Sequence, residues 1–266
     1  MAGMGTLIDV TQRDAVSALR AWRLWTMLGW NDIRQRYRRS TLGPFWITLS
    51  VVVFIAVLGV IYSRIFHTHI DTYLPFLTVG YVTWGFISQV LSESCQAFQE
   101  SERIIKQLRL PFGLYVCRIV WRNFIVFLHT IVIFIPVAVF FKVWPGASVV
   151  LVLPGLALLL ANLTWVALTL AILAARFRDT IQIVTTLIQI MLFATPIMWP
   201  VSSLEGATWI AEINPLYHFI ELVRAPLLGA VPQPLSWLVA VGTLVVGWFF
   251  ALRLLARASS RIVFWI

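Results

Sequence analysis

Charged side chains are scarce: Asp, Glu, Lys and Arg make up 12% of the 266 residues, against 60% hydrophobic. That balance excludes a soluble domain of this length, which could not hide so much apolar surface. Cysteine is nearly missing. Cys95 and Cys117 stand alone, with no Cys-x-x-Cys or Cys/His spacing, so neither a disulfide framework nor a zinc site is expected. The motifs G-x-x-x-x-G-K-[ST], G-x-S-x-G and H-E-x-x-H do not occur, nor does a carboxylate pair at catalytic spacing. ATP binding by a P-loop is thereby excluded, and the chain reads as non-catalytic, with no metal and no cofactor of its own. No polar stretch reaches domain length, so residues 1–266 form a single unit. Asp9, Arg13 and Asp14 precede the first long apolar run, which is not the order of a cleaved signal peptide.

What is abundant is the apolar run. Each bilayer crossing needs ~20 apolar residues, and six such runs fit: about Pro44–Phe66, Leu74–Leu91, Val120–Phe141, Val149–Ala174, Thr180–Trp199 and Leu235–Leu255. The expected fold class is an all-α polytopic membrane protein. A cytoplasmic amphipathic segment (1–43) precedes a six-span bundle (44–255), and a cytoplasmic tail (256–266) follows it. With both termini inside, 17 of the 20 basic residues fall on the cytoplasmic side and only Arg64, Lys142 and Arg224 outside. The net charge of +9 is then a mark of orientation, not of nucleic-acid binding.

Four segments outside the runs carry information. Asp14–Ser40 reads as a helix at the membrane interface, with Leu19, Trp22, Trp30, Ile33 and Tyr37 on one side and Asp32, Arg36 and Arg39 largely opposite. Trp25 and Leu28 break that pattern. Cys95–Pro111 reads as a short cytoplasmic helix on which Ala97, Ile104 and Leu108 can share a face, ended by Pro111. Pro200–Pro234 holds two short helices flanking Asn214-Pro215, too short and too charged to span, so re-entrant or interfacial. The tail Arg253–Ile266 ends in aromatic and aliphatic residues beside Arg257 and Arg261.

The centres of the runs hold no Asp, Glu, Lys or Arg, which argues against an ion-coupled carrier. Their polar residues, Gln89, His129, Asn162, Gln182 and Gln189, read as helix–helix hydrogen-bonding groups. Aromatics are plentiful, with 13 Trp, 18 Phe and 6 Tyr. Tyr62, Tyr81, Trp84, Phe86, Trp165 and Phe193 sit in or near the runs, where aromatic faces suit the apolar faces of sugar rings; packing explains any one of them as well. Arg34, Arg36, Arg38 and Arg39 stand at headgroup depth. They either anchor the chain to acidic lipid or grip a lipid diphosphate with their planar forks.

The run Asn31-Asp32-Ile33-Arg34-Gln35-Arg36-Tyr37-Arg38-Arg39-Ser40-Thr41-Leu42-Gly43-Pro44-Phe45-Trp46 resembles the stretch entering the first span of ABC-2 type permeases, close to those exporting O-antigen, capsule or teichoic acid polymers. Leu110-Pro111-Phe112, Asn214-Pro215-Leu216-Tyr217-His218 with Glu221 and Arg224, and Arg261-Ile262-Val263-Phe264-Trp265-Ile266 are similar to that family as well. The resemblance implies two copies of this chain in a bacterial inner membrane. Two copies of a separate ATPase subunit would carry ATP and Mg. It implies a coupling helix at Cys95–Leu108 seated on the ATPase (Gln96, Gln99, Arg103, Ile104, Leu108). An outer gate would include Trp209, Asn214, Pro215, Tyr217, His218, Glu221 and Arg224, and the substrate would be a lipid-linked glycan threaded between the copies. The competing readings are a membrane-embedded glycosyltransferase or lipid-modifying enzyme, a secondary transporter, and an ABC-2 exporter of a smaller lipid or drug.

Overall fold

A computed structural model describes residues 14, 16–38, 43, 45–108, 110–204 and 206–266. Asp9, Arg13, Arg39, Ser40, Thr41, Leu42 and Pro44 of the sequence analysis lie outside the described residues. Among the described residues all regular structure is helical, as a bilayer requires of a chain that must satisfy its backbone internally. In chain order the helices are α1 (Trp22–Tyr37), α2 (Phe45–Ile65), α3 (Ile70–Ser94), α4 (Ala97–Glu100), α5 (Glu102–Gln107), α6 (Phe112–Ile131) and α7 (Phe134–Phe140). They continue with α8 (Val152–Arg176), α9 (Thr180–Ala194), α10 (Trp209–Glu212), α11 (Pro215–Leu227), α12 (Pro234–Ala258) and α13 (Ile262–Trp265).

Five helical stretches are long and apolar enough to cross a membrane: α2, α3, α6 with α7, α8 with the 3-10 turn before it, and α12. The chain is a multi-pass membrane protein. The fifth expected crossing, Thr180–Trp199, is shorter than the sequence suggested. Pro196 supplies no N–H and forces Thr195 into extended backbone (φ −97°, ψ 139°), so α9 stops at Ala194 after 15 residues. At 1.5 Å per residue that is ~22 Å, short of a hydrocarbon core of ~30 Å. The third crossing is broken for a related reason. Pro136 cannot donate into a continuing ladder, so the chain tightens to i→i−3 bonds at Ile133 (3.1 Å to Thr130) and Ile135 (3.0 Å to Val132) before α7 resumes.

α3 is the most enclosed crossing and α2 the least. Around α3 pack α6, α8 and α11, with α12 beyond α8. Two glycines permit the closest approaches. A Cβ on Gly155 of α8 would sit 2.4 Å from the Leu222 carbonyl of α11, and one on Gly247 of α12 would sit 2.1 Å from the Trp165 ring of α8. Asn162 fastens α8 to α12. Its Nδ2 donates to the Ala240 carbonyl (3.0 Å), and its Oδ1 accepts from Trp165 Nε1 (3.0 Å) and Thr243 Oγ1 (3.1 Å). This is the helix–helix role expected of it.

Of the side expected at the membrane interface, Ile33 instead packs on the bundle. Leu19, Trp22 and Trp30 are exposed, while Ala18, Gly29 and Ile33 are buried and Trp25 meets Trp121 of α6 edge-on at 5.8 Å. Small residues let α1 lie close to α6, and the large aromatics are left outside; the two residues that broke the pattern, Trp25 and Leu28, belong to the packed face. Upstream, Asp14 caps α6 from a distance, accepting from Phe112 N–H (3.0 Å) and Gly113 N–H (3.2 Å). Burial outweighs these two bonds and holds its carboxyl above the ordinary range.

Candidate functional site

The bundle has two built ends. At the basic end, Asp32 of α1 receives Arg118 of α6 through both Nε (2.7 Å) and Nη2, and Arg122 through Nη1 at 3.1 Å. Arg122 Nη2 continues to Glu93, at the last turn of α3, at 2.6 Å. Glu93 also accepts from Arg36 (2.8 Å), Asn123 Nδ2 (2.7 Å) and Gln89 Nε2 (3.2 Å). Two carboxylates and three arginines thus tie three helices together, with Arg122 only 7% exposed. Asp32, Glu93, Arg118, Arg122 and Asn123 were not singled out as a site by sequence reasoning. Their one signal is a carboxylate closing one apolar run and two arginines four residues apart opening the next.

The four arginines expected at headgroup depth therefore divide. Arg36 is committed to Glu93. Arg34 and Arg38 are exposed and make no ion pair among the described residues, and Arg39 lies outside the described residues.

Beside this network the expected coupling helix is two helices, α4 and α5, bent at Ser101 (φ −101°, ψ 8°). Ala97, Phe98 and Ile105 face inward and are buried, Ile104 is half-buried, and Leu108 is 56% exposed. Ala97, Ile104 and Leu108 do not share one face, because the bend at Ser101 turns α5 relative to α4. Gln99 reaches the Ala174 carbonyl of α8 (3.5 Å), leaving Gln96, Arg103 and Leu108 outward. The chain end braces α5 and α8. Lys106 Nζ donates to the Ile266 carbonyl (3.1 Å), and the Arg176 guanidinium lies 5.1 and 5.4 Å from the Phe177 and Trp265 rings. Burial pushes the Cys95 thiol up to about 11, and both cysteines are unpaired.

The six aromatics do not converge on one surface. Trp84 and Phe86 are buried inside the bundle, Phe86 against Phe124 and Phe127. Trp165 is held by Asn162. Tyr62 stacks on Phe66 (5.7 Å) and Tyr81 on Phe54 (4.6 Å), while Phe193 is 65% exposed.

At the opposite end the segment around Asn214-Pro215 is packed, not loose. Asn214 Oδ1 caps α11 by accepting from Leu216 N–H (3.0 Å), its Nδ2 donates to Thr195 Oγ1 (2.9 Å), and Pro215 fills the first helical position. His218 is wholly buried between the Glu212 carbonyl (2.8 Å) and Ser236 Oγ (3.0 Å). The carbonyl can only accept, so Nε2 carries a hydrogen and donates it to Glu212. Arg224 is 1% exposed: it pairs with Glu221, donates to the Pro196 carbonyl (2.8 Å) and lies 3.9 Å from the Phe76 ring centre. Tyr217 is buried, and Trp209 with Ile213 forms an exposed apolar tip.

Comparison with known proteins places this geometry. Residues 23–228 match the family described as ABC-2 type transporter. The chain is similar to the O-antigen export system permease protein RfbA of Myxococcus xanthus, 26% identical over 199 residues, 73% of this chain and 76% of that protein. It is also similar to the O-antigen export system permease protein RfbA of Klebsiella pneumoniae, 26% identical over 191 residues, 71% of this chain and 74% of that protein. The matched span takes in α1 with its ion pairs, the α4–α5 elbow and the enclosed α11, and the chain belongs to the ABC-2 type transporter family.

Proposed function

We propose that this chain is the transmembrane subunit of an ATP-driven exporter that moves a lipid-linked polysaccharide across a bacterial inner membrane. The observation that carries it is the similarity to O-antigen export permeases along more than two thirds of both chains. Two copies of the chain enclose the pathway, and a separate ATPase subunit binds ATP and Mg. The basic end faces the cytoplasm with both termini, in accord with the positive-inside rule. In this reading α9, continued by the extended Thr195 and the segment after it, makes the sixth crossing. α10 and α11 form a re-entrant outer gate. α1 lies at the inner interface with Leu19, Trp22 and Trp30 toward lipid. The α4–α5 elbow seats on the ATPase through Gln96, Arg103 and Leu108. Arg34 and Arg38, exposed and without ion pairs among the described residues, are the arginines available to a lipid diphosphate. Capture of the tagged chain from detergent-solubilised membranes should bring down an ABC ATPase, and deletion of its gene should remove a surface polysaccharide. Capture without an ATPase, or an unchanged cell surface, defeats this function.

A further inference from the structure

Between α2, α3 and α6, one to three turns inward from Glu93, lies a cavity of about 210 Å³. That is the space of roughly seven waters, and room for one pyranose ring. It extends from Gln89 to Tyr81 along α3 and from Asn123 to Thr130 along α6, a length of ~10–12 Å at the helical rise. Asn123 is 2% exposed, lines this cavity, and has no partner for its Oδ1. The amide orientation is fixed by its neighbour. Glu93 can only accept, so Asn123 must turn Nδ2 to it, and the carbonyl oxygen is what remains. Gln89 is oriented by the same carboxylate, which takes one of its two Nε2 hydrogens. Two amide oxygens therefore belong to the cavity lining beside the hydroxyls of Ser88 and Thr130. Their own hydrogens are given to the Gly85 and Val126 carbonyls, so they too offer lone pairs. Tyr81 supplies an aromatic wall, stacked from behind by Phe54.

The polar groups of the lining are mostly acceptors set among Ile47, Val51, Val82, Val126 and Phe127, which suits hydrogen donors better than phosphate. An aromatic wall adds an apolar ring face. We propose that this cavity is a sugar-binding subsite for one uncharged, hydroxyl-rich pyranose of the transported glycan, separate from the arginines that face the diphosphate. The inference rests on the export reading above and specifies where a sugar, as opposed to its lipid carrier, is recognised. It also gives Tyr81 and Phe86, two of the six aromatics, a polar rim beside their rings.

Gly85 makes the test clean. It lines the cavity, and a Cβ there would meet no atom within 4 Å, so a side chain can grow into the space without displacing backbone. The chain with its ATPase is reconstituted in nanodiscs. Two probes are used: a synthetic polyprenyl diphosphate carrying one glucose, and the same polyprenyl diphosphate without sugar. The parent protein should bind the glucosylated probe about tenfold more tightly than the bare one. Gly85→Leu should bind both alike, with affinity for the bare probe unchanged. In a Cys95→Ala, Cys117→Ala background, Gly85→Cys should be protected from maleimide by the glucosylated probe and not by the bare one. This second variant adds little volume and so keeps the test available if the leucine variant does not fold. Equal binding of the two probes by the parent, a preference that survives in Gly85→Leu, or absence of selective protection overturns the subsite while leaving lipid-linked export standing. Binding of neither probe overturns both.

Discussion

Asp32 holds two arginines of a neighbouring helix, and neutralising it leaves both facing each other across a partly dry junction. Removing one partner of a buried pair costs ~3–5 kcal/mol; Asp32 keeps some solvent contact, so Asp32→Asn should lose about 2 kcal/mol, seen as a lower melting temperature of the detergent-solubilised protein. Arg34→Lys should not move that temperature, because Arg34 has no ion pair among the described residues to lose. It should instead reduce surface polymer if its fork grips diphosphate, with insertion normal. Melting of Asp32→Asn like the parent would remove the network from any stabilising role. A second residue-scale prediction concerns Gly155, where an added methyl meets the Leu222 carbonyl at 2.4 Å. Gly155→Ala should cost about 1–3 kcal/mol from overpacking, despite the better helix propensity of alanine; unchanged or raised stability would show that α11 has room to move. Residue by residue, the sequence showed which side chains were unusual and not which would meet. Asp32 and Arg118 stand 86 positions apart, and no spacing rule joins them. The expectation that Asn162 bonds between helices needed only its isolation in an apolar run, and the structure agrees.

The α4–α5 elbow divides its residues between the fold and the outside. Leu108 is exposed and Ile105 is buried, so charge at the two positions has different consequences. Leu108→Asp should leave the melting temperature unchanged and reduce the amount of co-purified ATPase, by ~2 kcal/mol of lost apolar contact. Ile105→Asp should lower the melting temperature first. If Leu108→Asp retains its ATPase in full, the elbow is not the docking element. Long elements were legible because apolar runs fix crossings: α2, α3, α8 and α12 all fall where hydropathy put them. What was not legible is how prolines end or interrupt them. A proline within an apolar run looks the same whether it sits in a tolerated first turn, as Pro215 and Pro234 do, or stops the helix, as Pro196 does to α9. The packed face of α1 was also missed, since glycine and alanine carry no hydropathy signal yet decide which side lies closest to α6.

At the scale of the whole molecule, the proposed orientation, with the basic end inside, is open to direct labelling. Single cysteines at His69 and Ala147 should react with a membrane-impermeant maleimide from outside intact cells, and those at Ser94 and Asp179 only after permeabilisation. External labelling at Asp179 would remove the crossing assigned to α9. The enclosure of α11 has a consequence for how such a chain is made. This helix of 13 residues carries a buried arginine and a buried histidine, and its partners arrive from both sides in sequence: Phe76, Gly155 and Pro196 come before it, Ser236 after it. As the chain emerges from the ribosome, His218 already has the Glu212 carbonyl but not yet Ser236, so α11 must wait, half-housed, until α12 has been inserted. Biogenesis then has a fixed last step. The final crossing closes over a helix already in place, and nascent chains arrested before Gln233 should be the ones that membrane quality-control proteases recognise.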